Sequence, residues 1–521
     1  MTVMLTAISL SVYSSMYKYY YGTGHIDSHT IDRIAKTFAF VPKNWGTFMK
    51  AEQRLTLGIL LSTFLAALDS TLMATIGPTV SADLHGMGLY TWLLTAFMAA
   101  TTIAAPIFGK LVDTFSPRRL YTVGLGTFAA ASLGCSMAPN MQVFLGLRFL
   151  QGIGAGGIFT LGLVMIGKLY HGAKRSQMQG RQSAMWGLAG LLGPSLGGVV
   201  AQFLSWRLLF LINVPLSLLA IGWMRNASVA GNDPRPRARG VFDYWGGALL
   251  TGSMLCMLAF PTVLQNSLAS PAGWILLVAG LILLGVVYDV ERHVQNPLIP
   301  IRGLNNSAVA ACLGVGFIAS AIMFSCALLI PLLVQNGLDA PQWVTGIVLL
   351  SMPLGWAAGS MVAGKFIRPG SIRIPLVGII ITASGLLGFQ VRLAQSLPAQ
   401  LSVIDLSALF TGAGIGFLIM SALVTLQSQA ETNMGALTGL FNLVRNMGNA
   451  LGPGLIGGVN FILLARTQAG EVTDSTAHGL VIERSIHLTL WIPLALTIVL
   501  LPAALRMRIL RVKEKAVTAS K

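Results

Sequence analysis

Residues 141–167 read MQVFLGLRFLQGIGAGGIFTLGLVMIG, an apolar stretch in which Arg148 is the one charged residue. A helix that crosses the hydrocarbon core of a bilayer needs about 20 mostly apolar residues, and this stretch is long enough. Its glycines suit helices that pack closely in lipid, where no hydrophobic effect drives helices together. The stretch therefore predicts a transmembrane helix that carries an arginine inside the membrane.

The rest of the chain has the same apolar character. Of its 521 residues, 54% are hydrophobic and 10% are charged, whereas a soluble domain carries about 25% charged residues. No P-loop sequence occurs, so ATP is not expected to drive the protein directly. We predict an all-α polytopic membrane protein with 14 transmembrane helices, near residues 55–80, 89–109, 119–138, 141–167, 182–203, 207–224, 243–263, 273–290, 306–334, 343–364, 374–393, 400–426, 434–463 and 486–505.

The positive charge of the chain is distributed unevenly between its loops. The net charge is +17, yet the cations lie mostly in alternate short connections between the apolar stretches. The positive-inside rule explains this placement without a nucleic-acid partner. The connections 81–88, 137–141, 202–206, 264–272 and 335–342 contain no Lys or Arg. This alternation predicts that both termini lie in the cytoplasm and that the number of helices is even.

Three short sequences recur in the same order along the chain, with an offset of 255 to 260 residues. Six helices of about 20 residues each, with short loops, take roughly 200 residues, so the offset leaves room for two more helices. The chain is therefore predicted to contain two repeated halves of six helices with two extra helices between them (6+2+6). The recurring sequences are Gly109-Lys110 with Gly364-Lys365, Gly152-Ile153-Gly154 with Gly412-Ala413-Gly414, and Gly193-Pro194 with Gly452-Pro453.

These boundaries divide the chain into five predicted parts. The first segment has an alternative, because translation could begin at Met49, in which case residues 1–48 would not be translated. The parts are a cytoplasmic N-terminal segment at residues 1–54, the first six-helix half at 55–225, a linker with the two extra helices at 226–304, the second six-helix half at 305–508, and a basic cytoplasmic tail at 509–521.

The first functional motif follows the second predicted helix, where residues 109–119 read GKLVDTFSPRR. Gly109 would let two helices cross closely, and Asp113 could pair with cations or lie at a helix N-terminus. Arg118 and Arg119 could hold helix ends together across a cytoplasmic gate. The run resembles the signature loop between helices two and three of the major facilitator superfamily, although Ser116 stands where that family usually has glycine.

Further motifs narrow the resemblance to the fourteen-helix drug:proton antiporters of that superfamily. The run Arg148–Gly156 (RFLQGIGAG) resembles its intramembrane-arginine motif, and Leu68-Asp69-Ser70-Thr71 resembles its helix-one motif. Trp206–Pro215 (WRLLFLINVP), which opens helix six, also looks like this family. Residues 193–198 (GPSLGG) resemble the motif associated with antiport, through Gly193, Pro194, Gly197 and Gly198.

The resemblance implies a proton-coupled antiporter that exports hydrophobic or amphipathic small molecules, that is, a multidrug efflux protein of a bacterial inner membrane. It would work by alternating access, use the proton gradient in place of a cofactor, and hold neither a metal nor a catalytic site. Its partners would be the lipid bilayer, the small-molecule substrate and protons, with no nucleic acid. A periplasmic adaptor and an outer-membrane channel are further candidate partners.

Two residues are the candidates for proton coupling. Asp69 lies about fourteen residues into helix one, which at 1.5 Å per residue is near the middle of the bilayer. Burial there favours the neutral form of a carboxylate, so Asp69 could hold a proton in one state and release it in another. Arg148, which is costly in the membrane without a partner, could tune that proton affinity. The alternative for each is a structural role in helix packing.

Several other side chains could line a substrate cavity, because aromatic and methionine side chains suit varied apolar ligands. Arg445 could bind an anionic group or brace the second half, and Asp405 is a second candidate titrating site. Asp289 and Glu291, at the end of helix eight, are predicted to be solvated. The cavity candidates are Trp92, Phe97, Trp186, Met352, Trp356, Phe441, Asn442 and Arg445.

Two other functions fit the same sequence. The first is a dedicated exporter or importer of a siderophore, lipid or metabolite on this fold, since Arg148 and Arg445 would suit neutral or anionic substrates. The second is a membrane scaffold or sensor without transport, which the intact Asp69, Arg148 and paired glycine motifs disfavour. An enzyme is not expected, because no nucleophile and base occur in a recognisable pattern.

Overall fold

The structure is a computed structural model. It describes residues 51–86, 92–203, 205–225, 243–266, 271–294, 306–338, 342–367, 371–391, 397–429, 434–468 and 475–519, with Leu89, Pro297 and Ala340. The predicted N-terminal segment up to residue 50, including the alternative start at Met49, lies outside these residues. So do most of the two connections of the predicted linker on either side of its extra helices.

The described residues form α-helices joined by short connections, and no strand occurs among them. In chain order the described residues contain fifteen helices, and a π-helical turn at Leu332–Gly337 extends the ninth. They are α1 Ala51–Asp83, α2 Trp92–Thr114, α3 Pro117–Ser136, α4 Met141–Leu169, α5 Gly172–Phe203, α6 Arg207–Arg225, α7 Tyr244–Asn266, α8 Pro271–His293, α9 Ser307–Pro331, α10 Gln342–Phe366, α11 Arg373–Gly388, α12 Leu397–Ser428, α13 Met434–Gln468, α14 Ser475–Thr489 and α15 Trp491–Ala519.

The helices pack as two halves with the same internal arrangement. In the first half, α1 packs on α5 and α6, while α4 packs on α2 and α3. In the second half, α9 packs on α13 and α15, while α12 packs on α10 and α11. Three of the four pairs correspond when the sequence is shifted by the repeat offset, and α15 takes in the second half the packing place that α6 has in the first, although it lies later in the sequence than the offset predicts. The halves meet through α2 against α13 and through α5 against α10.

The two extra helices form a hairpin, in which α7 packs on α8 and also contacts α13 and α2. Asp243 caps the start of α7, since its Oδ1 accepts from the Gly246 backbone N–H at 2.8 Å. The prediction that Asp289 and Glu291 are both solvated is half wrong. Asp289 is exposed, but Glu291 is 1% exposed, because it faces α7 near Gly246 and Asp243.

Ten stretches of the described residues are long and apolar enough to cross a membrane, judged by length and composition, and the last of them, Val481–Met507, runs across α14 and α15. The helices α3, α5, α7 and α11 fall short of this standard. The apolar stretches of α7 and α11, Trp245–Met257 and Arg373–Gly388, are too short by themselves. The sequences of α3 and α5 are partly polar, and side chains that face other helices need not be as apolar as those that face lipid. The last predicted span, 486–505, covers a break at Leu490 between α14 and α15. The chain is a multi-pass membrane protein.

Lysine and arginine side chains mark one end of the bundle, which we call the basic end. It contains the end of α2 with Lys110, the end of α4 with Lys168, the start of α5 with Lys174 and Arg175, and the end of α10 with Lys365. The other end, with Asp83 at the close of α1, is called the opposite end. The contacts between α5 and α10 tie the two halves together at the basic end. There, a Cβ at Gly364 of α10 would lie 2.5 Å from the Ser176 carbonyl oxygen of α5.

Glycines set the distance between α10 and α12. A Cβ on Gly359 would lie 2.1 Å from the Ala413 carbonyl oxygen, so this backbone contact admits no side chain. We expect Gly359→Ala to destabilise the protein by about 1–3 kcal/mol, the usual cost of overpacking. The measurement is the thermal unfolding midpoint of the detergent-purified variant.

Gly346 provides a control on the same helix, because among the described residues no atom outside its own stretch of helix lies within 4 Å of an added Cβ. Gly346→Ala should leave the unfolding midpoint unchanged or raise it, since alanine favours a helix over glycine. Equal midpoints for the two variants would contradict the close packing of α10 on α12.

Candidate transport site

A buried ion pair lies within the first half. Asp69 of α1 is 4% exposed and Arg148 of α4 is fully buried. The Nη1 group of Arg148 donates to the Asp69 Oδ2 atom and also to Gln151 Oε1 at 2.6 Å. The two coupling candidates, 79 residues apart in sequence, are therefore direct partners. The pair satisfies the requirement that a charge inside a membrane protein has a partner.

Three neutral side chains complete the environment of Asp69. Gln151 donates to the Asp69 Oδ1 atom at 2.9 Å and to Ser132 Oγ at 2.7 Å. Asn213 of α6 donates to the same Oδ1 atom at 3.3 Å. The network thus joins α1, α3, α4 and α6. The sequence analysis did not predict these partners. Gln151 could have been found, because it lies three residues after Arg148 on the same helix face, a spacing that brings two side chains together.

The guanidinium of Arg148 is less completely bonded than the carboxylate. Its Nε and Nη2 atoms are buried without an acceptor among the described residues. The aromatic ring of Phe97 lies beneath it, with 4.4 Å between the Arg148 Cζ atom and the ring centroid. Such a contact stabilises a cation by about 0.5–2 kcal/mol. Phe97 also lines the central cavity, so this ring separates the ion pair from the space where a substrate could bind.

The predicted antiport motif packs against α1 just beyond Asp69. A Cβ at Gly193 would lie 2.2 Å from Thr71 Oγ1, and one at Gly197 would lie 3.1 Å from Thr75 Cβ. Thr71 also donates to the Ala189 carbonyl oxygen at 3.0 Å. Pro194 and Gly198 lie within α5. The motif therefore holds α5 close to the part of α1 that carries the coupling candidate.

A central cavity lies between the two halves, with about 730 Å³ of empty space that includes the part open to the outside. Helices α2, α4 and α5 line one side, and α9, α10, α12 and α13 line the other. Of the predicted cavity residues, five lie in the lining: Phe97, Trp186, Trp356, Asn442 and Arg445.

The other three predicted cavity residues lie elsewhere. Trp92 begins α2 at the opposite end and is 42% exposed, which suits an anchor at the membrane surface. Met352 and Phe441 are buried in the core of the second half. A Cβ at Gly316 would lie 2.8 Å from the Phe441 ring, so that ring packs on α9. Sequence alone does not decide which face of such an apolar helix points to the cavity.

The signature loop closes the basic end, where α2 of the first half meets α13 of the second. A Cβ at Gly109 would lie 2.6 Å from the Gly435 carbonyl oxygen, so this crossing is between backbones. The Asp113 carboxylate accepts from the backbone N–H groups of Gly435 at 3.2 Å and of Ala436 at 3.1 Å. Asp113 therefore lies at the N-terminus of α13, where a negative charge is favourable.

The two arginines of this loop make no ion pair or side-chain hydrogen bond among the described residues. Arg118 and Arg119 are in the first turn of α3, and Arg119 is exposed. Within the part of the chain that the structure describes, neither arginine makes the predicted contact across the gate, and that contact stays a prediction. Ser116 has a φ of −59°, a value open to any residue, so glycine is not needed there.

A polar cluster joins the halves beside this loop. Gln427 of α12 accepts from Arg175 Nε at 3.2 Å and from Gln179 Nε2 at 2.6 Å. Its own amide donates to Thr438 Oγ1 of α13 at 3.2 Å. One glutamine thus connects α5, α12 and α13 at the basic end. Together with the signature loop, this cluster closes the basic side of the cavity.

An ion pair at the opposite end fixes α6 to α1. Arg207 donates to Asp83 Oδ2 at 2.6 Å, and the Trp206 indole donates to the same atom at 3.1 Å. The hydrogen bond from Arg207 holds the pKa of Asp83 below its ordinary value. Asp83 therefore stays ionised near neutral pH. Asp405, the other acidic candidate, accepts from Ser351 of α10.

The chain matches the family profile described as Major Facilitator Superfamily over residues 59–453, which is most of its length. The chain belongs to this superfamily. It is therefore a membrane transporter, not an enzyme, and its two repeated halves around a central cavity are the fold of the family. No cluster of three or more metal-ligating side chains occurs in the described part of the chain.

Curated proteins similar to this chain come from bacteria and fungi. "Multidrug transporter protein MdtP" of Bacillus subtilis is 28% identical, over 77% of this chain and 74% of that protein. "Efflux pump FUS6" of Gibberella moniliformis is 28% identical, over 82% of this chain and 77% of that protein. The structure of the human organic anion transporter MFSD10 (TETRAN) has a TM-score of 0.60 at 15% identity and covers 86% of this chain and 100% of that one. That likeness supports the fold alone.

Proposed function

We propose that the protein is a proton-coupled antiporter that exports hydrophobic or amphipathic small molecules by alternating access. Similar proteins at 28% identity carry the names of multidrug transporters and efflux pumps, which supports export as the direction. The main support for proton coupling is the buried Asp69–Arg148 pair, which the Phe97 ring separates from the cavity. A carboxylate in this place can bind and release a proton, and each change of its charge alters the contacts that hold α1, α3, α4 and α6 together.

The proposed cycle begins in the conformation described above, with the basic end closed. A proton that reaches Asp69 from the opposite side neutralises the carboxylate and removes its attraction for Arg148. The network from Gln151, Ser132 and Asn213 then rearranges, and α1 and α4 change their contact. When the basic end opens, Asp69 releases the proton as substrate enters the cavity. Substrate and proton thus move in opposite directions.

The proposal includes a topology. It has 14 transmembrane helices as 6+2+6, with α14 and α15 together providing the last span. Both termini and the basic end lie in the cytoplasm, as the distribution of Lys and Arg indicates. The location is a bacterial inner membrane, and a periplasmic adaptor with an outer-membrane channel remains a predicted partner. Cell fractionation and labelling of single cysteines from either side would test these points.

The function is tested with purified protein in liposomes that contain an uncharged amphipathic fluorescent probe. We expect an imposed pH gradient to drive movement of the probe against the direction of the protons, and nigericin, which collapses the gradient, to stop it. Folded protein that moves no such probe would contradict the proposal. That result would favour a dedicated siderophore, lipid or metabolite transporter, or a scaffold that binds without flux.

A further inference from the structure

We propose that the central cavity is built for amphipathic organic anions, whose aromatic body lies on an aromatic wall and whose anionic group binds Arg445. This inference rests on the proposed function, because it names the substrate class of the same transport site. It is carried by the single charge in the described lining, by lining side chains whose donors have no acceptor among the described residues, and by the aromatic rings that line the same cavity.

The charge of the cavity comes from one residue. Arg445 is the one ionisable side chain in the described lining, and no Asp, Glu or Lys accompanies it there. Asn442, Asn446 and Asn449 lie on the same face of α13, at the spacing of successive helical turns. The polar wall is thus a cation among amides, which offers several N–H donors to one ligand group.

Arg445 differs from the buried arginine of the first half. Arg148 has Asp69 and Gln151 as partners, whereas no ion pair or hydrogen bond engages the Arg445 side chain within the described residues. An uncompensated guanidinium in a low-dielectric site favours a counter-ion. Its planar fork suits carboxylate, sulfonate and phosphate groups, which accept two parallel hydrogen bonds.

A second side chain of the lining carries a buried donor without an acceptor among the described residues. Trp356 of α10 lines the cavity and is 7% exposed, and its indole Nε1 has no acceptor among the described residues. An indole N–H can only donate, and leaving it buried without an acceptor costs about 1–3 kcal/mol. An acceptor-rich ligand group would satisfy it. This observation points to the same ligand chemistry as Arg445 and does not depend on charge.

The aromatic wall would bind the other part of the ligand. The rings of Phe159 and Trp186 are 4.9 Å apart, and those of Trp186 and Trp356 are 6.3 Å apart. Trp186 of α5 and Arg445 of α13 are equivalent positions in the two repeated halves, since each lies seven residues before the repeated Gly-Pro sequence. The first half therefore supplies an aromatic ring where the second half supplies a cation. A lipophilic cation would find the aromatic rings but would meet Arg445 with no accessible carboxylate, because Asp69 is held by its own partners.

The test compares three ligands with one naphthalene ring: naphthalene sulfonate, the uncharged naphthalene sulfonamide, and naphthylmethyl trimethylammonium. The charged ligands keep their charge at all relevant pH values, so a pH gradient does not move them by weak-acid or weak-base partitioning. Binding is measured by titration calorimetry of the detergent-purified full chain, and flux in liposomes. We expect the sulfonate to bind the wild type at least tenfold more tightly than the ammonium, which corresponds to about 1.4 kcal/mol.

Variants at Arg445 separate charge from packing. Arg445→Gln should weaken sulfonate binding at least tenfold and leave sulfonamide binding unchanged, while Arg445→Lys should retain part of the preference for the anion. Arg181→Gln is the matched control, since Arg181 is an exposed arginine of α5 outside the cavity lining, and it should behave like the wild type.

Two results would overturn the inference: sulfonate binding that is unchanged in Arg445→Gln, or a wild-type preference for the ammonium. Binding also separates this inference from the proposed function. Charge-selective binding without gradient-driven flux would support the anion site and contradict the antiporter. Gradient-driven flux without a preference for the anion would support the antiporter and contradict the anion site.

Discussion

Replacing Asp69 with asparagine should reduce gradient-driven flux of the uncharged probe to the rate of protein-free liposomes. The carboxamide has nearly the shape of the carboxylic acid and can keep the hydrogen bonds from Gln151 and Asn213. It cannot bind and release a proton, so the variant stays in a state that resembles protonated Asp69. Exchange of labelled for unlabelled probe at equal pH, which needs no net proton movement, should persist and show that the variant is folded.

Asp83→Asn is the matched control for this experiment. Asp83 ends the same helix but is exposed, and Arg207 keeps it ionised near neutral pH. We expect this variant to retain gradient-driven flux. Full flux in Asp69→Asn would exclude Asp69 from the coupling step and direct attention to Asp405.

Removing the other partner of the ion pair should have the largest effect on stability. Arg148→Gln leaves the Asp69 carboxylate buried without its cation, and breaking a buried pair in this way costs about 3–5 kcal/mol. The variant also loses the contact of the guanidinium with the Phe97 ring, 4.4 Å from the centroid. The measurement is unfolding in a graded series of denaturing detergent, followed by tryptophan fluorescence.

The double variant Asp69→Asn with Arg148→Gln tests the cause of that loss. Because both charges are gone, we expect most of the stability to return, so that the effects of the two substitutions are strongly non-additive. Gradient-driven flux should stay absent in the double variant, as in Asp69→Asn. Additive losses of stability would contradict a direct ion pair and would assign each residue a separate packing role.

Much of the architecture could be predicted from the sequence because the physical constraints of a bilayer are strong. Apolar length and the recurrence of glycine motifs predicted helices and repeated halves, and the packing of α1 on α5 and of α9 on α13 follows the repeat. The break at Leu490 was not predicted, since the residues on both sides of it continue a helical pattern. The burial of Glu291 was also missed. Glu291 lies at the end of α8, and whether that end contacts α7 depends on how the two helices of the hairpin pack together.

The site was predictable where polar residues stand out in apolar helices. Asp69 and Arg148 are conspicuous for that reason, but their contact with each other depends on the relative rotation of α1 and α4. Ser132 and Asn213 carry no such signal, because short polar side chains occur throughout membrane helices. The cavity residues divide in the same way: Phe97 and Trp186 face the centre while Phe441 faces α9, and an apolar helix without a polar face does not indicate which direction is inward.

Proton release on substrate binding is the most direct measure of coupling at Asp69, because the proposed cycle has Asp69 release its proton as substrate enters the cavity. Detergent-purified protein in weakly buffered solution is acidified in steps, so that Asp69 passes from the ion-paired carboxylate to the protonated acid; at each step the uncharged probe is added, and the pH change is recorded for the wild type and for Asp69→Asn. We expect the wild type to release protons on binding and Asp69→Asn to bind the probe without release. Equal release from both proteins would contradict proton coupling at Asp69.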